Sequence, residues 1–246
     1  IPFEKLNYRI ASRERVPLIG DITFSRWGIE ALLVNQFKDN KYEKLFFDLD
    51  MEESQSRVKS YFLIPELIKL IDDYANTETA NEKDLYKLTL INDGLLRLGL
   101  PNSYHLNDSS TNTKNLKRLT SKLIETKENQ IRYHSKVVDQ KNALISQLAK
   151  QMGSMDALLD LKGKQMNKGV GKFTLNRQST KTIELGEKRI FQNVDPIFLP
   201  PDKGLINAHF FASDKFIFNY KIDTYISNTI VLWGVFLILY TFLIFF

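Results

Sequence analysis

The chain contains no cysteine among its 246 residues and only three histidines. A disulfide framework and a cysteine nucleophile are therefore excluded, although the compartment stays open because many exported bacterial proteins also lack cysteine. His105, His134 and His209 lie far apart, without a second ligand at zinc-site spacing. Neither a G-x-S-x-G elbow nor a dinucleotide-binding fingerprint occurs. We expect no catalytic, cofactor-binding or metal-binding residue in this segment.

A concentrated charge of one sign is also missing. The 34 basic and 29 acidic residues leave a formal net charge of +5, and no block of like charge stands out. Nucleic-acid binding usually shows a basic stripe together with a recognisable motif. We therefore expect no nucleic-acid partner.

Charge disappears altogether after Asp223, and the remaining 23 residues, from Thr224 to Phe246, are almost entirely apolar. A helix of about 20 apolar residues crosses a hydrocarbon core about 30 Å thick. We predict a transmembrane helix here, with a buried helix of a soluble core as the alternative. The preceding flank does not indicate orientation, because Lys215 and Lys221 balance Asp214 and Asp223.

Both ends of the chain suggest a piece of a longer protein. It starts at Ile1 without a signal-peptide pattern, and it stops at Phe246 inside the apolar run. We expect further sequence on both sides.

An apolar segment with only two charges occupies residues 24–37. It follows Pro2, Pro17 and a turn at 20–21, and its side chains recur at helical spacing. One face carries Phe24, Trp27, Ala31 and Val34, and Ile29, Leu32, Leu33 and Phe37 widen it. Arg26 and Glu30 lie one turn apart and could pair. We predict a helix at a membrane interface or re-entering the membrane, with a buried helix of a soluble core as the alternative.

The middle of the chain predicts helices. The acidic residues 48–53 lack the glycine and final glutamate of a calcium-binding loop, so we interpret them as a solvated loop or a helix start. A helix is predicted from Ser54, with Pro65 in a first-turn position. Its apolar face contains Leu67, Leu70, Ile71 and Tyr74.

A second helix is predicted over 84–98, because Gly99 and Pro101 form a stop signal. Its inward residues are Leu85, Leu88, Ile91 and Leu95. After a polar loop at 102–113, the longest helix is predicted over 114–155, with an interrupted apolar seam that favours packing on neighbouring helices. The seam contains Leu116, Leu119, Leu123, Val137, Leu144, Leu148, Met152 and Met155.

The sequence GKQMNKGVGK at 163–172 superficially resembles a phosphate-binding loop. Met166 stands where the first loop glycine should be, and Phe173 replaces the serine or threonine that holds the metal. We predict a flexible basic loop instead. Farther on, Phe216, Phe218, Tyr220 and Ile222 alternate as in one strand that leads into the membrane helix.

The residues of the opening helix resemble a motif in the transmembrane half of White-type (G-subfamily) ABC transporters. The matching positions are Arg26, Trp27, Glu30, Ala31, Leu32, Asn35 and Phe37. Residues 1–7 and 16–21 look like the loop before that motif, and 209–212 and 221–224 look like the segment before the family's last membrane helix. The resemblance covers about 1–45 and 196–246, whereas 46–195 is an insert that we cannot match. Animal members carry cysteines in this loop, and this chain has none.

The resemblance implies a subunit of an ATP-driven exporter in the cell inner membrane. Residues 1–44 would form a re-entrant or interfacial hairpin and helix, 45–223 an extracytoplasmic (periplasmic) domain, and 224–246 the transmembrane helix. The implied partners are membrane lipid, a second transporter half (in a homodimer or heterodimer) and a periplasmic protein. ATP and magnesium would bind a domain outside this segment. Arg26, Trp27, Glu30, Asn35 and Phe37 are the interfacial or structural candidates.

The predicted fold class is mainly α with minor β: a helical domain with one long helix, a few short strands and a C-terminal transmembrane helix. The leading functional hypothesis is part of an ABC-type export permease. The alternative is a membrane-anchored interaction domain whose long helix binds a partner protein. A third hypothesis is a tail-anchored cytoplasmic protein.

Overall fold

The structure is a computed structural model that describes residues 23–76, 82–107, 112–201, 208–217 and 219–245. These residues are mainly helical with a few short strands, so the predicted fold class is confirmed. The α-helices are α1 (Phe24–Lys38), α2 (Phe47–Val58), α3 (Ile64–Ala75), α4 (Glu82–Leu98), α5 (Thr113–Gln151), α6 (Met155–Gln165), α7 (Lys168–Leu175) and α8 (Thr224–Phe245). The strands are β1 (Ile183–Leu185), β2 (Ile190–Gln192), β3 (Asp214–Ile217) and β4 (Tyr220–Asp223). The predicted features before Thr23, including Pro2, Pro17, the turn at 20–21 and the matches at 1–7 and 16–21, lie outside the described residues.

The chain forms two compact units. We call Leu49–Ile145 with Ser179–Val194 the central unit, and Ile1–Asp48 with Ser146–Gln178 and Asp195–Phe246 the terminal unit. The division of the chain at residues 44 and 223 stays a prediction.

The central unit is built around one apolar core. Helices α3 and α4 pack against each other, and the antiparallel pair of β1 and β2 adds Ile190 to the same core. The buried residues are Leu63, Ile64, Leu67, Leu70, Ile71, Leu88, Leu90, Ile91, Leu95, Leu106, Leu116, Leu119, Leu123 and Ile190. The inward positions predicted from α3 and from the first part of α5 are thus largely confirmed, with Tyr74 packed at the edge of the core.

Helices α2 and α3 are joined by a π-helical turn, Lys59–Leu63. Pro65 lies in the first turn of α3, as predicted. Proline has no backbone N–H to donate, and in a regular α-helix its ring would clash with the carbonyl four residues earlier. The wider π-helical turn includes that carbonyl, so the helical segment continues through the proline without a break. The acidic residues 48–53 belong to α2.

The end of α4 follows the predicted stop signal. Gly99 adopts a φ of +73°, the left-handed conformation that glycine tolerates best. Its amide donates to the carbonyl of Leu96 at 2.9 Å, and the amide of Leu100 donates to the carbonyl of Leu95 at 3.0 Å. These are the two hydrogen bonds of a Schellman motif, which satisfies carbonyls left unpaired at a helix end.

The prediction that Leu85 points inward from α4 is wrong. Leu85 is 63% exposed, whereas Leu88, Ile91 and Leu95 are buried. The buried face also includes Leu90, and Gly94 lies tightly against Leu67. This centres the face on the side of α4 away from Leu85.

The long helix α5 ends earlier than predicted. It stops at Gln151, and Gly153 follows with a φ of +90°. The hydroxyl of Ser154 then accepts a hydrogen bond from the amide of Ala157 and caps α6. Leu144 and Leu148 are half-buried, and Met152 and Met155 are exposed, so the predicted seam is fully buried only as far as Val137.

The predicted basic loop at 163–172 is wrong, because this segment is largely helical. Asn167 accepts hydrogen bonds from the amides of Gly169 and Val170, which starts α7. Val170 and Thr174 are then buried on one side of the helix.

The single strand predicted over 216–222 is instead an antiparallel hairpin of β3 and β4. Asn219 has a φ of +68°, a left-handed conformation that asparagine tolerates and that lets the chain reverse. Residue 218 lies outside the described residues. Strand β4 ends at Asp223 and α8 starts at the next residue, so the predicted junction with the apolar helix is confirmed.

We expect Leu95→Ala and Leu119→Ala each to lower the free energy of unfolding by about 2–5 kcal/mol, because each leaves a cavity in the core. Leu85→Ala is the matched control and should change it by less than about 0.5 kcal/mol, since its side chain is exposed. Denaturant titration of the full chain in detergent, followed by circular dichroism, measures both. Equal effects at all three positions would contradict the assignment of the core.

Candidate functional site

Helix α8 is the only helix in the described ranges that is long and apolar enough to cross a membrane. It has 22 residues and carries no charge, and almost none of its apolar stretch is buried. The hydroxyls of Thr229 and Thr241 donate to backbone carbonyls of the preceding turn, at 2.7 and 3.0 Å. The apolar helix therefore satisfies these polar groups internally, as a hydrocarbon environment requires.

The first turns of α8 are polar and face protein. Thr224, Ser227 and Asn228 are fully buried, whereas most of the helix from Trp233 onward is exposed. Helix α1 packs along this part of α8. The boundary between these buried polar residues and the exposed apolar remainder is where we place the candidate site.

A buried ion pair lies at this boundary. The Nζ of Lys215, in β3, is 2.6 Å from Oε2 of Glu30, in α1, and both side chains are completely buried. An ammonium group taken out of water costs several kcal/mol unless it is paired and hydrogen-bonded. Glu30 supplies that pairing, so α1 and the hairpin are held together at this point.

Asn228 connects the pair to α8. Its Oδ1 accepts from Nζ of Lys215 at 2.9 Å, and its Nδ2 donates to Oε2 of Glu30 at 3.0 Å. The same Nδ2 is also 3.0 Å from the backbone carbonyl of Trp27. A single amide side chain thus bonds to the hairpin and to two points on α1. We call Glu30, Lys215 and Asn228 the buried junction.

The predicted pair of Arg26 and Glu30 is present, but it is not the main partnership. The Nη2 of Arg26 is 3.7 Å from Oε2 of Glu30, well beyond the distance from Lys215. The guanidinium lies 4.2 Å from the ring centre of Trp27, a cation–π arrangement, and the ammonium of Lys215 lies 4.7 Å from the same ring. Arg26 and Glu30 are both buried in protein.

The other two candidates from the sequence motif lie elsewhere on α1. Phe37 packs edge-on against Phe47 and Phe198, with ring centres 6.5 and 6.1 Å apart. Asn35 is half-buried, and its backbone carbonyl accepts from the amide of Asp39 at the end of the helix. The structure therefore brings Arg26, Trp27 and Glu30 together and leaves Asn35 and Phe37 outside the junction.

A second charge cluster lies at the C-terminal end of α1. The Nζ of Lys38 is 3.1 Å from Asp214 and 2.7 Å from Asp223, and Lys221 is 3.2 Å from Asp214. Burial alone would lower the pKa of Lys38, but its bonds to Asp223 and Asp214 outweigh burial and raise it. Burial alone would raise the pKa of Asp214, but the charges of Lys38 and Lys221 and the hydroxyl of Ser213 lower it.

The two charge clusters give the direction of the helices. Lys38, at the end of α1, meets Asp223 just before α8, and Trp27, near the start of α1, meets Asn228 inside α8. Helices α1 and α8 therefore run in opposite directions from a shared end. These ion pairs hold the two helices and the hairpin together electrostatically. In the described part of the chain, no group of three or more His, Cys, Asp or Glu residues could hold a metal ion.

Lys215 and Asn228 are not among the candidates that the sequence predicts. In the sequence Lys215 is only one charge in a balanced flank, because its partner Glu30 lies 185 positions away. Asn228 could have been found from the sequence, because an amide inside an otherwise apolar run needs a polar partner once it is buried.

Removing one side of the buried pair should be costly. We expect Glu30→Gln or Lys215→Met alone to lower the free energy of unfolding by about 3–5 kcal/mol, because each removes the 2.6 Å ion pair from the remaining buried charge. In Lys215→Met, Glu30 keeps only its longer contact with Arg26 as an ion pair. The double variant should recover part of the loss. Denaturant titration in detergent micelles gives the coupling energy. Additive losses would contradict the pairing, and the matched cycle for Arg26→Met with Glu30→Gln should show weaker coupling, given its longer distance.

The second charge cluster, which contains Lys38 and Asp214, makes the stability of the protein depend on pH at both the acidic and the basic end. The pKa of Asp214 is lowered by folding, so its contribution is present above its ordinary pKa of 3.8 and is lost as the pH falls through the folded value. The pKa of Lys38 is raised, so its contribution is present below its ordinary pKa of 10.5 and is lost as the pH rises through the folded value.

We expect Asp214→Asn to lower the melting temperature at pH 7 and to have little effect below the folded pKa of Asp214, where the native carboxyl is protonated. Melting curves of both chains between pH 2 and pH 8 measure this difference. A constant difference across that range would contradict the contribution of the Asp214 carboxylate.

Comparison with known proteins adds no assignment. No family model, curated protein or solved structure matches the chain.

Proposed function

We propose that this chain is part of the transmembrane subunit of an ATP-driven exporter of the White-type ABC class. It contributes an extracytoplasmic domain and the last membrane helix. The proposal rests on the motif in α1 and on the segment before α8, which resemble that family at both ends of the chain. The ATP- and magnesium-binding domain lies outside these residues.

The observation that carries the proposal is the buried junction. Its members come from the two ends that carry the resemblance: Glu30 from the first, and Lys215 and Asn228 from the second. If the resemblance at the two ends of the chain reflects one transporter, the two ends should pack against each other in the folded protein. In the structure they pack in one unit, while most of the unmatched insert forms the central unit.

Helix α1 has the surface expected of a helix that accompanies a membrane span. Its buried side holds Trp27, Glu30 and Val34, whereas Phe24, Ile29 and Leu32 are large apolar side chains exposed on the other side. A helix with charges turned into protein and apolar side chains turned out is stable next to lipid or next to a second apolar subunit. We place α1 alongside the outer half of α8.

The location follows from the same resemblance. Residues 45–223 lie on the periplasmic side of the inner membrane, and α8 runs toward the cytoplasm. The second transporter half, identical or related, packs against the membrane helices. A periplasmic protein is the expected partner of the domain formed by the insert.

Association with an ATPase tests the exporter proposal. We expect the full-length native protein, isolated from membranes in mild detergent, to carry or co-purify with an ATP-binding domain and to hydrolyse ATP in a vanadate-sensitive manner. A preparation of correct mass and fold with no ATPase, covalently attached or bound, would favour the membrane-anchored interaction domain instead.

Topology is tested separately with single cysteines in this cysteine-free chain. Ser121 and Thr180 are exposed and Ser60 is buried. In cells with a permeabilised outer membrane, we expect Ser121→Cys and Thr180→Cys to react with an impermeant maleimide, and Ser60→Cys to react only after denaturation. Labelling of the exposed pair only after lysis of the inner membrane would place the domain in the cytoplasm.

A further inference from the structure

We propose that the exposed face of α7 is a second membrane-contacting surface that binds the headgroups of an anionic phospholipid bilayer. This surface consists of Lys168, Lys172 and Phe173, and we call it the α7 surface. It rests on α8 being a membrane anchor, which is part of the proposed function, and it does not depend on the exporter assignment.

The composition of the α7 surface fits a bilayer interface. Phe173 is 63% exposed, although it is a large aromatic side chain. Lys168 and Lys172 are exposed one turn apart on α7, and Phe173 follows Lys172, about 100° farther around the helix. The opposite face of α7 is used for packing, since Val170 and Thr174 are buried. An apolar ring flanked by long basic side chains is the pattern of interfacial helices, in which the ring enters the acyl boundary and the amines stay with the phosphates.

The sequence around α7 carries charge of one sign, although Lys164 pairs with Asp160 and Arg177 with Asp195 in the structure. Between Asp160 and Glu184 the sequence contains six basic residues and no acidic residue. Basic groups close to a membrane are attracted by the negative potential of anionic lipids over about a Debye length. The same charge would not favour a neutral lipid surface, so the proposal commits to anionic headgroups.

The packing of α7 places it at the level where α8 begins. A Cβ added to Gly171 would lie 3.9 Å from the ring of Phe37, so α7 sits against the C-terminal end of α1. The next residue of α1 is Lys38, whose ammonium is 2.7 Å from the carboxylate of Asp223. Asp223 is the last charged residue before the apolar helix. When α8 spans a bilayer, this end of α1 lies at the boundary with water, and α7 lies beside it.

Spin labels attached to single cysteines test the proposal in the full chain, reconstituted in nanodiscs of phosphatidylcholine with or without phosphatidylglycerol. Collisions with oxygen report exposure to lipid, and collisions with a water-soluble nickel complex report exposure to water. Leu237→Cys, exposed in the middle of α8, is the lipid reference, and Ser121→Cys, exposed on α5, is the aqueous reference. We expect the label at Phe173→Cys to have an oxygen-to-nickel ratio several-fold above that at Ser121→Cys in discs with anionic lipid.

The lysines are tested in the same discs. Lys168→Gln with Lys172→Gln should lower the ratio at the Phe173→Cys label in anionic discs and leave it unchanged in neutral discs. The matched control, Lys117→Gln with Lys136→Gln, removes two exposed lysines of α5 and should leave the ratio unchanged.

Three results would overturn the proposal. A Phe173→Cys label that behaves like Ser121→Cys means that the α7 surface faces water. A label shielded from both reagents means that protein covers it. A Leu237→Cys label that is open to nickel means that α8 is not in the bilayer, which removes the membrane anchor together with the α7 surface.

Discussion

A completely buried lysine imposes the constraint on which the terminal unit depends. The ammonium of Lys215 has no access to water, so its charge has to be met by protein groups at short range. Glu30 and Asn228 meet it from two different helices. Because all three groups must lie within hydrogen-bonding distance, the β3–β4 hairpin, α1 and α8 are held together at this point.

Several other features of the terminal unit follow from that arrangement. Turning Glu30 inward directs the apolar side chains on the other face of α1 outward, which produces the exposed Ile29 and Leu32. It also brings the C-terminal end of α1 beside the base of the hairpin, where Lys38 joins Asp214 and Asp223. The buried junction and the partly exposed cluster around Lys38 thus join the same two helices at two different levels. When α8 spans a membrane, the buried junction lies toward the membrane and the cluster around Lys38 lies toward water.

The sequence predicted those parts of the fold that depend on local signals. Gly99 and Pro101 marked the end of α4, because a left-handed C-terminal residue is a property of a few adjacent positions. The apolar residues of α3 and the early part of α5 identified the core for the same reason, since their spacing is local. The apolar helix α8 was identified by length and composition alone.

The parts that could not be predicted depend on backbone conformation or tertiary packing that the apolar pattern does not reveal. The alternation over 216–222 fits one strand or two, and only the left-handed Asn219 decides between them. The basic stretch at 163–172 carries glycines that favour a loop, but burial of Val170 and Thr174 stabilises a helix. Lys215 has no local sign of burial, because its need for a partner is satisfied by Glu30 across 185 positions. The motif in α1 identifies Glu30, but helical spacing points to Arg26, one turn away, as its ion-pair partner.

The central claim is that the buried junction holds α1 against the start of α8. The distance between spin labels at Ile29→Cys and Ile226→Cys, both exposed positions, measures this directly in nanodiscs by double electron–electron resonance. A single narrow distance distribution in the otherwise native chain, broadened by Lys215→Met and narrowed again when Glu30→Gln is added, is the expected result. A distribution that is unchanged by Lys215→Met would show that α1 is held in place by other contacts and would contradict the account.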